Sequence, residues 1–496
     1  MKRLLGRTSW YYILIFCLVG IFFGFKLVWF LDPDFGWHLR VGELIAKQGI
    51  PRTDPFSFTM PSYLFVDHEW LTNVIIYFGY SLFGSVFLYF VFLILWLLLM
   101  WVSFLGSSKK WWVLPAILGS GIFLSYFGVR PQVQSWLLLS VLLSLLYKKV
   151  LWNKFRLIIP LFILFWTNLH GSFAVGIVVM AVVFGVRWVV KRRVNFEELI
   201  ILGLSLGVTF INPYGWNIWR EVWVITTDGN LRWTIQEWMP GIFLVDFCFS
   251  ALAVLSLLVV YRYRKAYKPE ELVVFLFFLI QGLLSRRHIP LWAVTAIPIV
   301  SSGFSFFDRE VKKTFGAQER LRKIYGFAVL GALCLFVFQG SMNLLGARGL
   351  REEGFYPKEA VEYLKQNKIE GRVFSVYGWG GYLIWKDLER KVFIDGRMPS
   401  WRREKDILGE SNYVMGEYSG VVKGETDYKA VFEKYGVEIV LWQQKKKEKS
   451  LIDKLALYFT NVFGDDKHAG FDLIDTLRND GWVVVYEDHT SIILKK

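Results

Sequence analysis

Apolar runs long enough to cross a bilayer recur along most of this chain and constrain its fold more than any other feature. A helix needs about 20 apolar residues to span the hydrocarbon core. Such runs begin near Trp10, Val86, Trp112, Val133, Phe155, Phe173, Leu199, Ile242, Leu272, Leu291 and Ile324. Since 54% of the residues are hydrophobic, the apolar surface exceeds what one soluble core can bury. We therefore predict a mainly α-helical polytopic membrane protein with about 11 spans.

The charges are distributed unevenly along the chain. Residues 347–496 contain 25 basic and 25 acidic residues, so the net charge of +15 belongs to the preceding part. Most basic residues of that part fall in six clusters, at every second boundary between spans: Lys2 to Arg7, Lys109-Lys110, Lys148 to Arg156, Arg187 to Arg193, Arg262 to Lys268 and Arg309 to Lys323. By the positive-inside rule these clusters are cytoplasmic, so the N-terminus is predicted inside and residues 347–496 outside. This orientation requires an odd number of spans. Because the basic charge belongs to membrane loops, we expect no nucleic-acid partner.

The predicted organisation is a transmembrane domain over residues 1–346, with an external loop at 32–84, and an extracytoplasmic domain over 347–496. The run Leu71 to Phe83 is too short to span and is predicted to lie in the membrane interface. In the outer domain, period-two patterns predict strands at Arg372 to Val376, Lys391 to Ile394, Val437 to Trp442, Trp482 to Tyr486 and Ser491 to Leu494. They alternate with predicted helices at Lys358 to Lys365, Tyr428 to Tyr435 and Leu451 to Phe463. This alternation predicts a small α/β domain with a mainly parallel sheet.

Polar motifs gather on the predicted outer side of the membrane. The first loop carries Asp32, Asp34, His38 and Arg40, and the box Asp67-His68-Glu69-Trp70 follows it. Further basic residues lie on the same side, against the positive-inside bias, together with two histidines and an asparagine: Arg130, Asn168, His170, Arg286, Arg287 and His288. Polar loops that converge on one face of a helical membrane body predict a binding or catalytic site at that face.

Each of these motifs also has a structural interpretation. Asp32 and Asp34 can form a turn that caps a helix, and Asn168 with His170 can cap a helix end. Arg286 and Arg287 can extend to the lipid interface by snorkelling. A phosphate-binding role for this pair is the functional alternative, because planar guanidinium groups bind phosphate oxygens in bidentate fashion.

Asp34-Phe35-Gly36-Trp37-His38-Leu39-Arg40 with Glu43, followed by Gly49-Ile50-Pro51 and Asp54-Pro55, resembles the first external loop of C-type (GT-C) membrane glycosyltransferases. The similarity is greatest to the catalytic subunits of oligosaccharyltransferases. Over its whole length the chain also resembles a broad bacterial family of membrane proteins that share an Asp-Pro-Asp-x-x-Trp-His-Leu-Arg opening. Shared motifs there include Asp67-His68-Glu69-Trp70, Asn168-Leu169-His170-Gly171, Asn212-Pro213-Tyr214-Gly215 and Phe393-Ile394-Asp395-Gly396-Arg397.

The glycosyltransferase resemblance implies an inverting enzyme of the inner (plasma) membrane that takes a sugar from a polyprenyl-phosphate donor on the outer face. It puts Asp34 at the position of the reaction-centre acid and Asp32 at that of its acidic neighbour, and Glu69 is a further catalytic candidate. The candidate substrate-binding residues are Arg286, Arg287, His288, Arg40, His38, His68, Asn168, His170 and Arg130. A divalent metal, Mg²⁺ or Mn²⁺, held by Asp34 is left open, and so is the acceptor, a glycan, a lipid or a protein. The alternative function is a non-catalytic membrane protein for lipid-linked glycan transport or envelope assembly.

The charge alternation generates a prediction about topology. A single cysteine in residues 347–496 should react with a membrane-impermeant maleimide in intact cells, because that segment is predicted to be extracytoplasmic. A single cysteine between Lys148 and Arg156 should react only after permeabilisation. Labelling of the first only after permeabilisation would show that the predicted orientation is inverted.

Overall fold

The computed structural model describes residues 7–231, 235–241, 246–312, 317–444 and 471–496. Its helices are α1 Arg7–Trp29, α2 Phe35–Gln48, α3 Trp70–Gly106, α4 Val113–Tyr126, α5 Gln132–Tyr147, α6 Lys149–Phe155, α7 Ile159–Leu169, α8 Phe173–Lys191, α9 Phe196–Val208, α10 Asn217–Thr227, α11 Phe247–Tyr263, α12 Pro269–Leu284, α13 Ile289–Val311, α14 Ala317–Arg348, α15 Glu352–Phe355, α16 Lys358–Gln366, α17 Gly380–Lys386, α18 Val414–Lys423, α19 Tyr428–Tyr435 and α20 Leu473–Asn479. Its strands are β1 Arg372–Ser375, β2 Val437–Gln443, β3 Val483–Glu487 and β4 Ser491–Lys495. The chain forms two compact units.

The first unit comprises the residues up to Leu31 together with Val66–Gly349, and it is built from helices. Within the described residues, six helices are long and apolar enough to cross a membrane: Trp70–Gly106, Lys149–Leu169, Phe173–Lys191, Phe247–Ala266, Arg286–Val311 and Gln318–Ala347. Shorter apolar helices occupy Ile13–Trp29, Val113–Tyr126 and Gln132–Tyr147. The polytopic helical prediction is confirmed, and the number of about 11 spans stays a prediction.

Helix α3 contains a sharp kink between the predicted interfacial segment and the following apolar run. Gly84 has φ 75°, a left-handed value that breaks the helical path. Glycine adopts this conformation without the steric penalty that a Cβ would bring. The kink therefore separates the segment that begins at Trp70 from the long apolar helix that ends at Gly106, and whether the first segment lies in the membrane interface stays a prediction.

Ion pairs in the helical unit connect basic residues of the predicted cytoplasmic clusters to acids of neighbouring clusters. Lys110 pairs with Asp308 at 2.8 Å, and Arg262 pairs with Glu310. Arg187 pairs with Glu270 at 3.0 Å and with Glu198 at 3.2 Å. These contacts join loops that are predicted to lie on the same side of the membrane, as an alternating topology requires. Which side faces the cytoplasm stays a prediction.

The second unit comprises Asp32–Phe65 and Leu350–Lys496 and contains one sheet of four strands in the order β1-β2-β4-β3. The prediction of a mainly parallel sheet is wrong, because only β1 and β2 are parallel and the other two pairs are antiparallel. Three residues separate β3 from β4, which suffices for a hairpin but not for the long crossover that a parallel pair needs. The predicted strand Lys391 to Ile394 is not formed. In this segment Val392 makes isolated β-bridges to Ser57 and to Val373. The predicted helix Leu451 to Phe463 lies outside the described residues.

The first loop belongs to the second unit, whereas the predicted organisation assigned it to the transmembrane domain. Helix α2 packs against α17 with almost no space between their backbones. A Cβ on Gly36 would lie 2.0 Å from the Gly381 carbonyl oxygen, and a Cβ on Gly381 would lie 2.2 Å from the Pro33 carbonyl oxygen. No L-residue other than glycine fits such a contact. The Gly380-Gly381 pair therefore holds the first loop against the sheet unit.

A buried ion-pair cluster joins two segments of this unit that are far apart in sequence. Arg397 pairs with Asp395 at 2.6 Å and with Asp54 at 2.8 Å, and its side chain is only 3% exposed. Its guanidinium group also packs against the rings of Phe65 and Trp401. Although burial opposes the charge, the two carboxylates raise the pKa of Arg397 above its ordinary value. The segments Asp54-Pro55 and Asp395-Gly396-Arg397 are therefore joined by this buried ion pair, which stabilises the unit.

Replacing Arg397 by alanine should lower the free energy of unfolding by about 3–5 kcal/mol, because two buried carboxylates would lose their counter-ion. Thermal unfolding of the purified protein, followed by intrinsic fluorescence, measures the effect. Arg402→Ala is the matched control, since Arg402 is exposed and surface substitutions change stability by less than about 0.5 kcal/mol. Equal stability of the two variants would contradict the structural role of Arg397.

Candidate functional site

Asp34 lies at the start of α2, where its carboxylate is held by a neighbour in the same helix. Trp37 Nε1 donates a hydrogen bond of 3.0 Å to Asp34 Oδ1. The carboxylate also lies directly against the backbone of the Asp395-Gly396-Arg397 segment, because a Cβ on Gly396 would be 1.9 Å from Asp34 Oδ1. Asp34 itself is half-buried. The fold thus fixes the position of this carboxylate and leaves part of it accessible.

The other candidates of the first loop take part in local structure. Asp32 is 4% exposed, and its Oδ1 accepts the backbone N–H of Asp34 at 2.9 Å, which makes it a turn and helix-start residue. His38 is buried, and its ring packs at a tilt of 34° against that of Trp37, with 3.7 Å between centroids. Arg40 pairs with Glu43 one helical turn later. These contacts agree with the structural alternative for Asp32, and they show that His38 and Arg40 also have partners within the helix.

The surroundings of Asp34 do not fit a divalent metal. Within the described part of the chain, no group of three His, Cys, Asp or Glu side chains is placed to hold a metal ion. Mg²⁺ and Mn²⁺ bind through several oxygen ligands, whereas the groups next to Asp34 Oδ1 are an indole N–H and the Gly396 backbone. This donor set gives no support to a reaction step through a metal at Asp34.

The helical unit contains a cavity of about 140 Å³ into which four of the predicted substrate-binding residues project. We call it the His170 cavity. It is lined by His68, Gln132, Ser135, Trp136, His170, Gly171, Ser172, Ala174, Val175, Val222, Ile225, Thr226, Trp238, Arg287, His288 and Leu291. These residues come from segments far apart in sequence, including the Asp67-His68-Glu69-Trp70 box, the Asn168-Leu169-His170-Gly171 turn and the Arg286-Arg287-His288 turn. Four of the predicted substrate-binding residues, His68, His170, Arg287 and His288, therefore lie around one cavity of this unit.

Glu69 lies behind the cavity, where it faces two histidines. Its side chain is 5% exposed, and its Oε1 lies 3.0 Å from His170 Nε2 and 3.6 Å from His68 Nε2. Asp67 supports this arrangement, because its Oδ1 accepts the backbone N–H of Glu69 at 3.0 Å. Asn73 holds the other oxygen of Asp67 at 2.9 Å. Glu69 thus provides one negative charge to two imidazole rings.

His170 is fixed on its other side by two serines that the sequence did not indicate. Its Nδ1 lies 2.7 Å from Ser172 Oγ and 2.9 Å from Ser135 Oγ. The backbone N–H of Ser172 donates to the same nitrogen at 3.1 Å. Ser135 lies in an apolar predicted span with no recognisable motif around it, so only the fold could place it beside His170.

Asn168 takes a structural position. Its side chain accepts a hydrogen bond from Trp70 Nε1 at 3.0 Å and donates to the Ile211 carbonyl oxygen at 3.1 Å. These bonds connect the start of α3, the end of α7 and the end of the α9 segment. Asn168 is not among the residues that line the His170 cavity, in agreement with its structural alternative.

Arginines surround one carboxylate next to the cavity. Arg130 pairs with Glu237, and the charge of Arg130, reinforced by Arg287 and Arg286, lowers the pKa of Glu237 against the effect of burial. Arg286 also lies within electrostatic reach of Asp246, a buried acid that the sequence analysis did not identify. Arg287 lines the cavity and packs over the Trp238 ring at 5.0 Å. The two neighbouring arginines therefore have different surroundings.

No protein-family model matches the chain, and no curated protein sequence matches it. Its structure is similar to that of the oligosaccharyltransferase of Archaeoglobus fulgidus in the apo form, with a TM-score of 0.54 and 12% identity, over 88% of this chain and 70% of that chain. It is also similar to ArnT from Cupriavidus metallidurans bound to undecaprenyl phosphate, with a TM-score of 0.50 and 14% identity, over 99% of this chain and 98% of that chain.

This chain shares the fold of both structures. The predicted fold class is therefore confirmed. At 12% and 14% identity the similarity is one of fold. The resemblance to the bacterial family with the shared opening motif stays a prediction.

Proposed function

Given this fold, we propose that the protein transfers a sugar from a polyprenyl-phosphate donor to an acceptor on the outer face of the inner membrane. One observation carries the proposal. Arg287, His68, His170 and His288, four cationic or ionisable groups predicted on that face, meet in one cavity of the helical unit. ArnT, which has the same fold, was solved with undecaprenyl phosphate. A lipid phosphate is the ligand class that such a cavity suits.

The lining of the cavity matches a lipid phosphate in both polarity and charge. Trp136, Val175, Ile225 and Leu291 supply an apolar wall, and Arg287 supplies a permanent positive charge. A guanidinium group binds phosphate oxygens through paired N–H donors. As the bond between the sugar and the phosphate breaks, negative charge accumulates on the phosphate, and a cation held in place lowers the barrier.

Asp34 is the proposed catalytic carboxylate. Attack of an acceptor hydroxyl on the anomeric carbon forms the new glycosidic bond, breaks the bond to the phosphate oxygen and releases the hydroxyl proton. A carboxylate that orients or deprotonates the acceptor is needed for this step. The resemblance of the first loop supports Asp34 in this role, and so do its fixed position and its partial exposure. Asp32, whose carboxylate caps the turn, becomes a supporting residue.

The retained alternative is a non-catalytic membrane protein for lipid-linked glycan transport or envelope assembly. Mass spectrometry of a deletion strain separates the two functions. A transferase leaves unused polyprenyl-phosphate sugar and a glycan that lacks one residue. Unchanged lipid-linked sugars and unchanged glycans would argue against the transferase proposal.

The phosphate-binding role of Arg287 can be tested with purified protein and undecaprenyl phosphate. Arg287→Ala should raise the dissociation constant by roughly tenfold or more, since a hydrogen bond to a charged group contributes about 1.5–3 kcal/mol. Arg287→Lys should fall between this variant and wild type, because it keeps the charge and loses the planar fork.

Arg193→Ala is the matched control for this measurement, since Arg193 is exposed in a predicted cytoplasmic loop. Its dissociation constant should equal that of wild type. Arg286→Ala tests the neighbouring position. Wild-type affinity of Arg287→Ala would move the phosphate site out of the His170 cavity.

Asp34→Asn should lower transfer by on the order of a hundredfold or more, the usual contribution of a positioned acid or base. An asparagine oxygen can still accept the Trp37 hydrogen bond, so membrane abundance and the affinity for undecaprenyl phosphate should not change. Transfer is measured as the recovery of the missing glycan in the deletion strain. Full recovery with Asp34→Asn would pass the catalytic role to Asp32 or Glu69.

A further inference from the structure

The network behind the His170 cavity has the parts of a proton-transfer group. Three side chains lie in sequence: a serine hydroxyl at the cavity wall, an imidazole, and a buried carboxylate. Ser172 Oγ lies 2.7 Å from His170 Nδ1, and His170 Nε2 lies 3.0 Å from Glu69 Oε1. Ser172 and His170 line the cavity, and Glu69 is almost completely buried. A hydroxyl compound bound in the cavity would therefore reach the network at its serine end.

The hydrogen bonds determine which nitrogen of His170 is free to accept a proton. The backbone N–H of Ser172 can only donate, and it donates to Nδ1. Nδ1 is therefore the unprotonated nitrogen, and in the neutral ring the proton resides on Nε2, on the side of Glu69. Trp166 Nε1 donates to Ser172 Oγ at 3.2 Å. Ser172 Oγ in turn donates to Ser135 Oγ at 2.6 Å, and Ser135 Oγ lies 2.9 Å from His170 Nδ1, so both hydroxyls are within reach of this nitrogen.

We propose that His170 accepts the proton which the acceptor hydroxyl loses during sugar transfer, through Ser172. This inference rests on the proposed function and assigns its proton route. The acceptor oxygen forms a bond to the anomeric carbon, and the bond from that carbon to the phosphate oxygen breaks with its electron pair on the phosphate. The acceptor proton moves to Ser172 Oγ while the Ser172 proton moves to His170 Nδ1. Glu69 then balances the imidazolium charge.

Other charged groups act on the same ring and belong in any account of its pH dependence. The ionisable side chains of the cavity and of the wall behind it are Glu69, His68, Arg287 and His288. Among ordinary side chains, histidine is the one that changes charge between pH 5 and 8. Transfer should therefore increase with pH across this range.

The test is the pH profile of transfer in the deletion strain, complemented with each variant and assayed at external pH values from 5 to 8.5. His170→Gln should lower transfer by on the order of a hundredfold and remove the acid limb of the profile, which is the fall in transfer at low pH. Ser172→Ala, which leaves the imidazole in place, should lower transfer in the same direction. His68→Gln removes the other imidazole beside Glu69 and leaves His170 and Ser172 in place, so it should keep the acid limb.

Three outcomes are decisive. An acid limb that persists in His170→Gln overturns the proton route while the transferase function stands. Loss of the limb in Asp34→Asn but not in His170→Gln assigns the proton to Asp34 and overturns the proposal. If lipid-linked sugars do not change in the deletion strain, the proposed function fails and the proton route fails with it.

A second measurement does not depend on activity. The chain has six histidines, and ¹⁵N-histidine NMR of the wild type and of His170→Gln assigns the signals of position 170 by difference. Wild type should show Nε2 protonated and Nδ1 unprotonated at neutral pH. A proton on Nδ1 would contradict the proposed direction of transfer.

Discussion

The hydrocarbon core of a bilayer accepts no unpaired polar group, and the helical unit depends on this constraint. Charged residues of the unit pair with each other near helix ends: Lys110 with Asp308, Arg262 with Glu310, and Arg130 with Glu237. The apolar helices between them carry no such pairs within the described residues and pack through aromatic and aliphatic side chains. Polar chemistry is thereby concentrated where helices end, and the His170 cavity occurs at such a place.

In the second unit, close backbone packing holds the segments together. Gly36 and Gly381 let α2 approach α17 to a distance that a single methyl group would prevent. Gly396 lets the Asp34 carboxylate lie against the backbone, and the adjacent Arg397 connects Asp395 to Asp54. The motifs that give the first loop its resemblance to glycosyltransferases therefore have two roles. Most of their residues build the loop, and Asp34 is the carboxylate that this framework presents.

The two neighbouring arginines show why a motif does not assign a role to each of its residues. Arg286 lies within reach of Tyr126 and Asp246, so its charge is shared with the surrounding helices. Arg287 lies over Trp238 and faces the cavity. The proposed phosphate ligand is therefore Arg287, with Arg286 and Arg130 setting the local charge around Glu237. A similar distinction separates Asn168, which connects helices, from His170, which faces the cavity.

The sequence by itself determined the features that follow from local composition. Apolar runs predicted a polytopic helical protein, the helix Tyr428–Tyr435 was predicted to the residue, and the four strands were placed to within a residue or two because their alternation is local. It also selected Arg287 from a charge that opposes the positive-inside bias, and His68, His170 and His288 from polar motifs beside apolar runs. Tertiary structure decided the rest. Strand direction depended on a three-residue hairpin, and the position of the first loop depended on glycine contacts across more than 300 residues. One partner of His170, Ser135, came from an apolar helix. The type of a residue does not indicate which distant residue it will contact. Such contacts form only when the folded chain brings the two residues together.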